Sequence, residues 1–157
     1  MWPCLTPGAA SRAPLIATRA HPAAPGSDEA LTLDALQHSR FHIVRVLRRQ
    51  EIAGLVTEDT VTHEQLWLMD EGLEETARSG MGLATRLLRV NGFYMTTGAA
   101  VPVTADVLKE AIASRSAWQS EPPSRFVNDR RFPEAVYAAA IRQGEVQFMQ
   151  FRDPQKL

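Results

Sequence analysis

The sequence predicts an α+β domain that is mainly α-helical, with four to five helices, a small two-stranded β element and a disordered N-terminal tail. Apolar residues recur every three to four positions over long stretches, and residues that cap or stop helices bracket those stretches. Two short runs of aromatic and β-branched residues, at 93–97 and 145–151, lie between turn signals and predict strands. We expect these two strands to pair.

Composition places the chain among ordinary globular proteins. Its 157 residues are 45% hydrophobic and 22% charged, and the formal net charge is −1. A net charge near zero is not typical of a dedicated nucleic-acid-binding protein. Cys4 is the only cysteine, so an internal disulfide and a cysteine-ligated metal site are excluded, and a cytoplasmic location is expected. The sequence contains no run of about 18 apolar residues, so no membrane span is predicted.

Residues 1–28 are predicted to form a disordered tail, and residues 29–157 a single globular α-rich domain. Five prolines and no acidic residue fall within residues 1–27. Prolines at this density prevent a helix, and the segment has little apolar material to bury. A targeting peptide, a plain tail and a start assigned too early are the three interpretations left open for this segment.

The first predicted helix covers residues 32–53. Leu36, Ile43 and Leu47 fall on one face at helical spacing. Residues 41–47 are rich in branched side chains, so a strand there is the alternative. The length of the periodic stretch favours the helix.

Residues 62–92 predict two helices that form a helical hairpin. Thr62 and Gln65 match a capping box, and Ser79-Gly80 is a stop signal for the first helix. The second helix ends at Asn91-Gly92. The stripe expected to face the core consists of Leu66, Met69, Leu73, Leu83, Leu87 and Val90.

The elements predicted after this hairpin are shorter. Val101-Pro102-Val103 is expected to be extended, because a residue before proline avoids the helical region. Thr104 is expected to cap one helix, and Pro133 to begin another that ends at Gly144. Residues 119–131 are predicted to form a long irregular loop.

The preferred functional interpretation is a small non-enzymatic adaptor or regulator that binds another protein. Trp67 lies among acidic residues at helical spacing, and an aromatic residue ringed by charge is typical of a binding hot spot. The predicted contact residues are Trp67, Glu71, Glu74 and Glu75. The competing interpretation is that another element covers Trp67 and that the acids are merely solvated.

A nucleic-acid-binding regulator is the alternative function. The predicted helix at 38–49 and the loop at 125–131 are rich in arginine, and the loop also carries aromatic side chains, which suits contact with phosphates and bases. The residues assigned to this role are Arg45, Arg49, Arg125, Arg130 and Arg131. Exposed ion pairs with nearby acids explain the same arginines without any ligand.

A metal-dependent hydrolase is the second alternative. His38 and His42 stand four residues apart, a spacing that lets two imidazoles on one helix bind a metal ion. Ser39 stands where a zinc-protease motif has glutamate, so a solvated polar face is the competing interpretation. Motifs for acyl transfer, phosphate binding and dinucleotide binding are missing, so no cofactor and no catalytic residue is predicted. The oligomeric state is left open.

Overall fold

The computed structural model describes residues 24–148. It falls into two units that divide between Asp34 and Ala35. Helix α1 (Asp28–Gln37) crosses this boundary, and its first turn is fixed by a 3.2 Å hydrogen bond that the Ala30 N–H donates to the Ser27 hydroxyl. The remaining elements belong to the second unit. Of the predicted disordered tail, residues 1–23 lie outside the described residues.

The second unit is built around a closed five-stranded β-barrel, so the predicted mainly α-helical fold is wrong. The strands are β1 (Arg40–Arg49), β2 (Leu55–Asp59), β3 (Gln65–Leu68), β4 (Gly82–Val90) and β5 (Phe93–Thr96). Their order is β1-β2-β3-β5-β4, and β4 pairs with β1 to close the barrel. Neighbouring strands are antiparallel except β3 and β5, which run parallel.

Alternate side chains of the strands fill the inside of the barrel. The buried core consists of Val44, Val46, Leu55, Leu66, Leu68, Leu83 and Leu87. A short helix, α2 (Glu71–Thr76), follows β3, and Leu73 packs against this core. Four of the residues predicted to face the core therefore do so, but Leu66, Leu83 and Leu87 reach it from strands and only Leu73 from a helix.

A second core lies on the outside of β1 and β4. Strand β6 (Val101–Pro102) pairs with β4. It is followed by α3 (Ala105–Ala113), α4 (Ser116–Gln119), α5 (Pro123–Phe126), α6 (Arg131–Arg142) and a 3-10 turn (Glu145–Phe148). The apolar sides of these helices pack against Phe41, Ile43 and Ala84. We call these three residues the covered face, and the packed helices the helical layer.

Three predicted helices are wrong in the regions that form the barrel. The helix predicted over 32–53 is α1 followed by β1, so the strand alternative for 41–47 is confirmed. The helices predicted before and after Gly80 are replaced by β3, α2 and β4. Thr62 lies in a turn, where its hydroxyl accepts a 3.4 Å hydrogen bond from the Glu64 N–H. Asp70 caps α2 instead, since its carboxylate accepts from the Leu73 N–H at 3.0 Å.

Predictions for the second half of the chain are closer to the structure. The strand at 93–97 is confirmed as β5, and the Thr104 hydroxyl caps α3 by accepting from the Val107 N–H at 3.3 Å. The helix expected from Pro133 is confirmed as α6, which begins two residues earlier. The strand predicted at 145–151 is wrong over its described part, which is the 3-10 turn. Strand β5 pairs with β4 and β3 instead.

Candidate functional site

The outward-pointing residues of β2, β3 and β5 are apolar at Val56, Trp67, Phe93 and Met95, and polar at the cross-strand pair Glu58 and Gln65. Val56 and Trp67 are direct cross-strand partners, and the ring of Phe93 lies 6.0 Å from the Trp67 ring. Met95 points to the same side as Phe93 two residues later, and it is 42% exposed. We call Val56, Trp67, Phe93 and Met95 the open face.

Trp67 is held in one orientation by a hydrogen bond from its indole N–H and by packing against the Phe93 ring. The indole N–H donates a 2.8 Å hydrogen bond to the backbone carbonyl of Ala53. The Phe93 ring meets the indole at an interplanar angle of 60°, an edge-on geometry that aromatic pairs favour. The indole is half-buried, so part of its ring stays accessible to solvent. A fixed, partly exposed aromatic ring loses little side-chain entropy when a ligand packs on it.

The loop between β1 and β2, residues 50–54, borders the open face and is fixed from two sides. Trp67 bonds Ala53, and the Gly54 N–H donates to the Glu74 carboxylate at 2.8 Å. Gly54 has a φ of +80°, and a Cβ there would collide with the Leu68 carbonyl, so only glycine fits this close approach. Ile52 in the same loop is 84% exposed. The loop thus presents an apolar side chain to solvent from a rigid base.

Charged residues on β1 and β2 form the other border of the open face. Arg48 is exposed and lies opposite Val56 in register. Arg45 donates a 3.0 Å hydrogen bond to Glu58, and His63 lies 3.2 Å from the second oxygen of Glu58. These hydrogen bonds, first that of His63 and then that of Arg45, lower the pKa of Glu58. Arg45 is therefore already paired with an acid.

The structure brings Trp67 and Glu74 to the same loop, as partners of two successive residues, Ala53 and Gly54. Glu71 and Glu75 are exposed on α2, the helix that carries Glu74. Their arrangement differs from the predicted one, because Trp67 belongs to β3 and the three glutamates to a separate helix. Glu74 bonds the loop that Trp67 also bonds, and Glu71 and Glu75 lie on the same helix as Glu74.

The arginines predicted to bind nucleic acid fall into two groups. Arg45 and Arg49 are exposed on β1, whereas Arg125, Arg130 and Arg131 are exposed in the helical layer. Arg131 forms a bidentate ion pair with Asp129, with a shortest distance of 2.7 Å. The hydrogen bonds from Arg131 hold the pKa of Asp129 well below its ordinary value. The predicted arginines thus divide between strand β1 and the helical layer.

The two histidines of the metal hypothesis do not share a helix. Helix α1 ends at Gln37, and His42 belongs to β1, where its Nδ1 lies 2.6 Å from the Asp59 carboxylate. That carboxylate also accepts from the N–H groups of Val61 and Thr62. Within residues 24–148, no group of three potential ligands lies close enough to hold a metal ion. In that same range, no helix is both long and apolar enough to cross a membrane.

Val56, Phe93, Met95 and Ile52 are the residues of this surface that the sequence did not single out as contact residues. The strand containing Phe93 is predicted correctly. Which side chain its ring contacts, however, depends on which strand lies next to β5. That strand is β3, which the sequence predicts as helix. Ile52 gives a usable signal, because it is an aliphatic residue that follows the polar Gln50-Glu51 and comes directly before Ala53-Gly54.

The barrel, the open face and most of the helical layer fall within one matched family model. No curated protein and no solved structure matches the chain. The family model matches residues 17–133, which is more than half of the chain. The chain therefore belongs to the family described as a family of unknown function (DUF7986).

Proposed function

We propose that the protein is a non-enzymatic adaptor or regulator that captures another protein on the open face. The proposal is supported by one observation above all. Large apolar side chains remain accessible there, with Met95 42% and the bordering Ile52 84% exposed. Exposed apolar residues that cluster on one surface are typical of interaction sites. Trp67 is the expected centre of the contact, with Glu71, Glu74 and Glu75 as its acidic border.

On the α2 side of the open face, the charges favour a basic partner segment. The Arg45 guanidinium is already bound to Glu58, so it offers little net charge to an incoming ligand. Helix α2 contributes Glu71, Glu74 and Glu75 and contains no cation. An acidic border attracts lysine and arginine and repels phosphate groups. We infer that the partner contributes an aromatic or aliphatic side chain for Trp67, flanked by basic residues.

We infer that this interaction takes place in the cytoplasm. Cys4 is the only cysteine, so the chain can form no internal disulfide of the kind that stabilises secreted domains. Cell fractionation with detection of the endogenous protein would test this location.

Affinity capture followed by quantitative mass spectrometry tests the binding proposal. Wild type and Trp67→Ala serve as paired baits, and the expected partner is enriched on the wild type and lost on the variant. Loss of a central Trp typically weakens binding about 30-fold or more. A double charge reversal, Glu71→Lys with Glu75→Lys, should weaken capture less than Trp67→Ala does. This weakening should become smaller as the salt concentration rises, because salt screens exposed charges.

Matched controls make this capture experiment specific. Leu36→Ala removes an exposed leucine from α1, and Glu134→Lys reverses an exposed acid on α6. Neither residue belongs to the open face or its border. If both controls lose the same partner as Trp67→Ala, or if all baits retain it equally, the open face is not the contact surface.

A second candidate is single-stranded nucleic acid, which the strand order favours. OB-folds are five-stranded Greek-key barrels that bind oligonucleotides over strands 2 and 3. Here Val56 and Trp67 occupy that face, and the exposed Arg48 and Arg49 lie on the adjacent β1. Bases can stack on aromatic rings such as Trp67 and Phe93 while phosphates contact such arginines.

Fluorescence anisotropy with a labelled single-stranded oligonucleotide tests this second candidate. Binding through phosphates weakens steeply as salt rises, and Arg49→Ala should reduce that salt dependence. Phe93→Ala should weaken binding at every salt concentration, because it removes a stacking ring. A flat anisotropy signal at low salt would exclude the nucleic-acid function and leave the protein-binding proposal standing.

A further inference from the structure

A cavity of about 630 Å³ lies where β4, the chain segment at 97–101 and α6 meet. It shares no residue with the open face. Val101, Ile141 and Val146 give it apolar walls. Ile141 is 62% exposed, although it belongs to the helix whose other side builds the buried helical layer. Cavities of about 300–1,000 Å³ with mostly apolar walls and a few polar groups are typical of small-molecule sites.

Three polar side chains border the apolar walls of this cavity, and one of them, Thr97, donates a 3.3 Å hydrogen bond to the Arg86 carbonyl. Arg86 donates one hydrogen bond, of 2.8 Å, from Nη1 to the Ser39 carbonyl. Among the described residues, no carboxylate pairs with this guanidinium. Tyr137 donates a 3.4 Å hydrogen bond to the Ala99 carbonyl. Burial raises the pKa of Tyr137, and the nearby charge of Arg86 only partly opposes that effect, so the phenol stays neutral.

A cation without an acid partner, placed next to apolar walls, selects a particular ligand chemistry. A carboxylate can accept two parallel hydrogen bonds from a guanidinium, and arginine is the side chain best suited to such a fork. A neutral apolar molecule would leave Arg86 without an anion, and a cationic one would be repelled by it. The neutral phenol of Tyr137 adds no opposing charge.

We propose that this cavity binds a small amphipathic carboxylate, with an alkyl or aromatic body against Val101, Ile141 and Val146 and its carboxylate on Arg86. The apolar body removes the exposed part of Ile141 from water. The carboxylate gives Arg86 the partner that it lacks in the described chain.

Isothermal titration of the full chain with decanoate tests the proposal, with 1-decanol and decylamine as ligands of the same chain length. Decanoate is expected to bind most tightly and decylamine not at all. Removal of the charged contact should weaken binding roughly tenfold, so decanol is expected to bind about tenfold more weakly than decanoate. Equal binding of decanoate and decylamine to the wild type, or no heat from decanoate up to about 1 mM, overturns the proposal.

Variants of Arg86 and Arg89 test whether the carboxylate of the ligand binds at Arg86. Arg86→Gln should weaken decanoate roughly tenfold and leave decanol unchanged, because it removes the charge and keeps much of the side-chain length. Arg89→Gln, on the same strand but outside the cavity, is the matched control and should leave both ligands unchanged. An Arg86→Gln protein that binds decanoate like the wild type also overturns the proposal. The comparison of decanoate with decylamine uses wild-type protein, so the test does not depend on the folding of any variant.

Discussion

Apolar side chains point outward on two sides of the barrel. The environments of these two sides differ. On the covered face, Phe41 and Ile43 are at most 6% exposed and Ala84 is fully buried, because the helical layer packs on them. On the open face, Val56 is buried, at 7% exposed, but Trp67 and Phe93 are only half-buried and Met95 is 42% exposed. Both sides follow the same strand alternation. Outward apolar residues therefore serve the fold on one side of the barrel, and most of them remain accessible on the other.

The two faces also differ in how closely their neighbours approach. At Gly82 on β4, a Cβ would lie 2.6 Å from the Val103 carbonyl, so the absence of a side chain allows close packing beside the covered face. The open face relies on large rings instead. Trp67 and Phe93 cover part of each other, and the indole N–H is satisfied within the chain. The open face is therefore stable without a partner.

The largest expected effect is the difference in unfolding free energy lost by a substitution in the helical layer and by one on the open face. Phe132 is 1% exposed, and its ring lies 5.0 to 6.1 Å from the rings of Phe126, Trp118 and Phe41. Phe132→Ala leaves a cavity in the helical layer and should lower the free energy of unfolding by about 4 kcal/mol, measured by urea denaturation. Phe93→Ala, on the open face, is the matched control and should cost about 1 kcal/mol. Equal losses for the two variants would contradict the distinction between the faces.

The next largest loss of stability is expected for a substitution at Asp59, at the end of β2. Asp59 is 4% exposed and accepts hydrogen bonds from His42 and from the N–H groups of Val61 and Thr62. Burial alone would raise the pKa of Asp59, but these hydrogen bonds outweigh it, and the pKa is lowered. Asp59→Ala leaves two backbone donors without their acceptor and should cost about 3 kcal/mol.

The lowered pKa of Asp59 also predicts a pH dependence of stability. In the unfolded chain the carboxyl titrates near its ordinary value of about 3.9, above its value in the folded protein. Its contribution is therefore fully present above that pH and is lost as the pH falls through the folded-state pKa. The difference in unfolding free energy between wild type and Asp59→Asn should shrink on acidification. Asp106→Asn, at an exposed site on α3, should show no such trend.

The barrel could not be predicted from the sequence because its strands bury both sides. On β4, Leu83 and Leu87 face the barrel core, while Ala84 and Leu88 are buried on the outside. A strand that is apolar on both sides loses its alternation. Its apolar residues then recur at intervals of one, three and four, which is the pattern of an amphipathic helix. The helices α3 and α6 were predictable because each buries only one side.

The same ambiguity explains what was missed at the candidate site. Residue type alone singles out Trp67 as a candidate, since an indole among acids is unusual at any position. Its neighbours depend on cross-strand register, which places Val56 beside it, and on the parallel pairing that brings Phe93 close. Parallel neighbours are distant in sequence, so no local pattern indicates them.

The smallest effect on stability is expected at the centre of the open face, where the effect on binding should be largest. Trp67→Ala removes a half-buried ring and the hydrogen bond to Ala53, and should lower the unfolding free energy by only about 1–2 kcal/mol. Trp67→Phe keeps most of the ring and should lose only about 1 kcal/mol, the hydrogen bond. Urea denaturation of both variants, beside their capture of the partner, measures the two roles separately. A loss near 4 kcal/mol for Trp67→Ala would instead make the residue a core element, and the open face would then resemble the covered one.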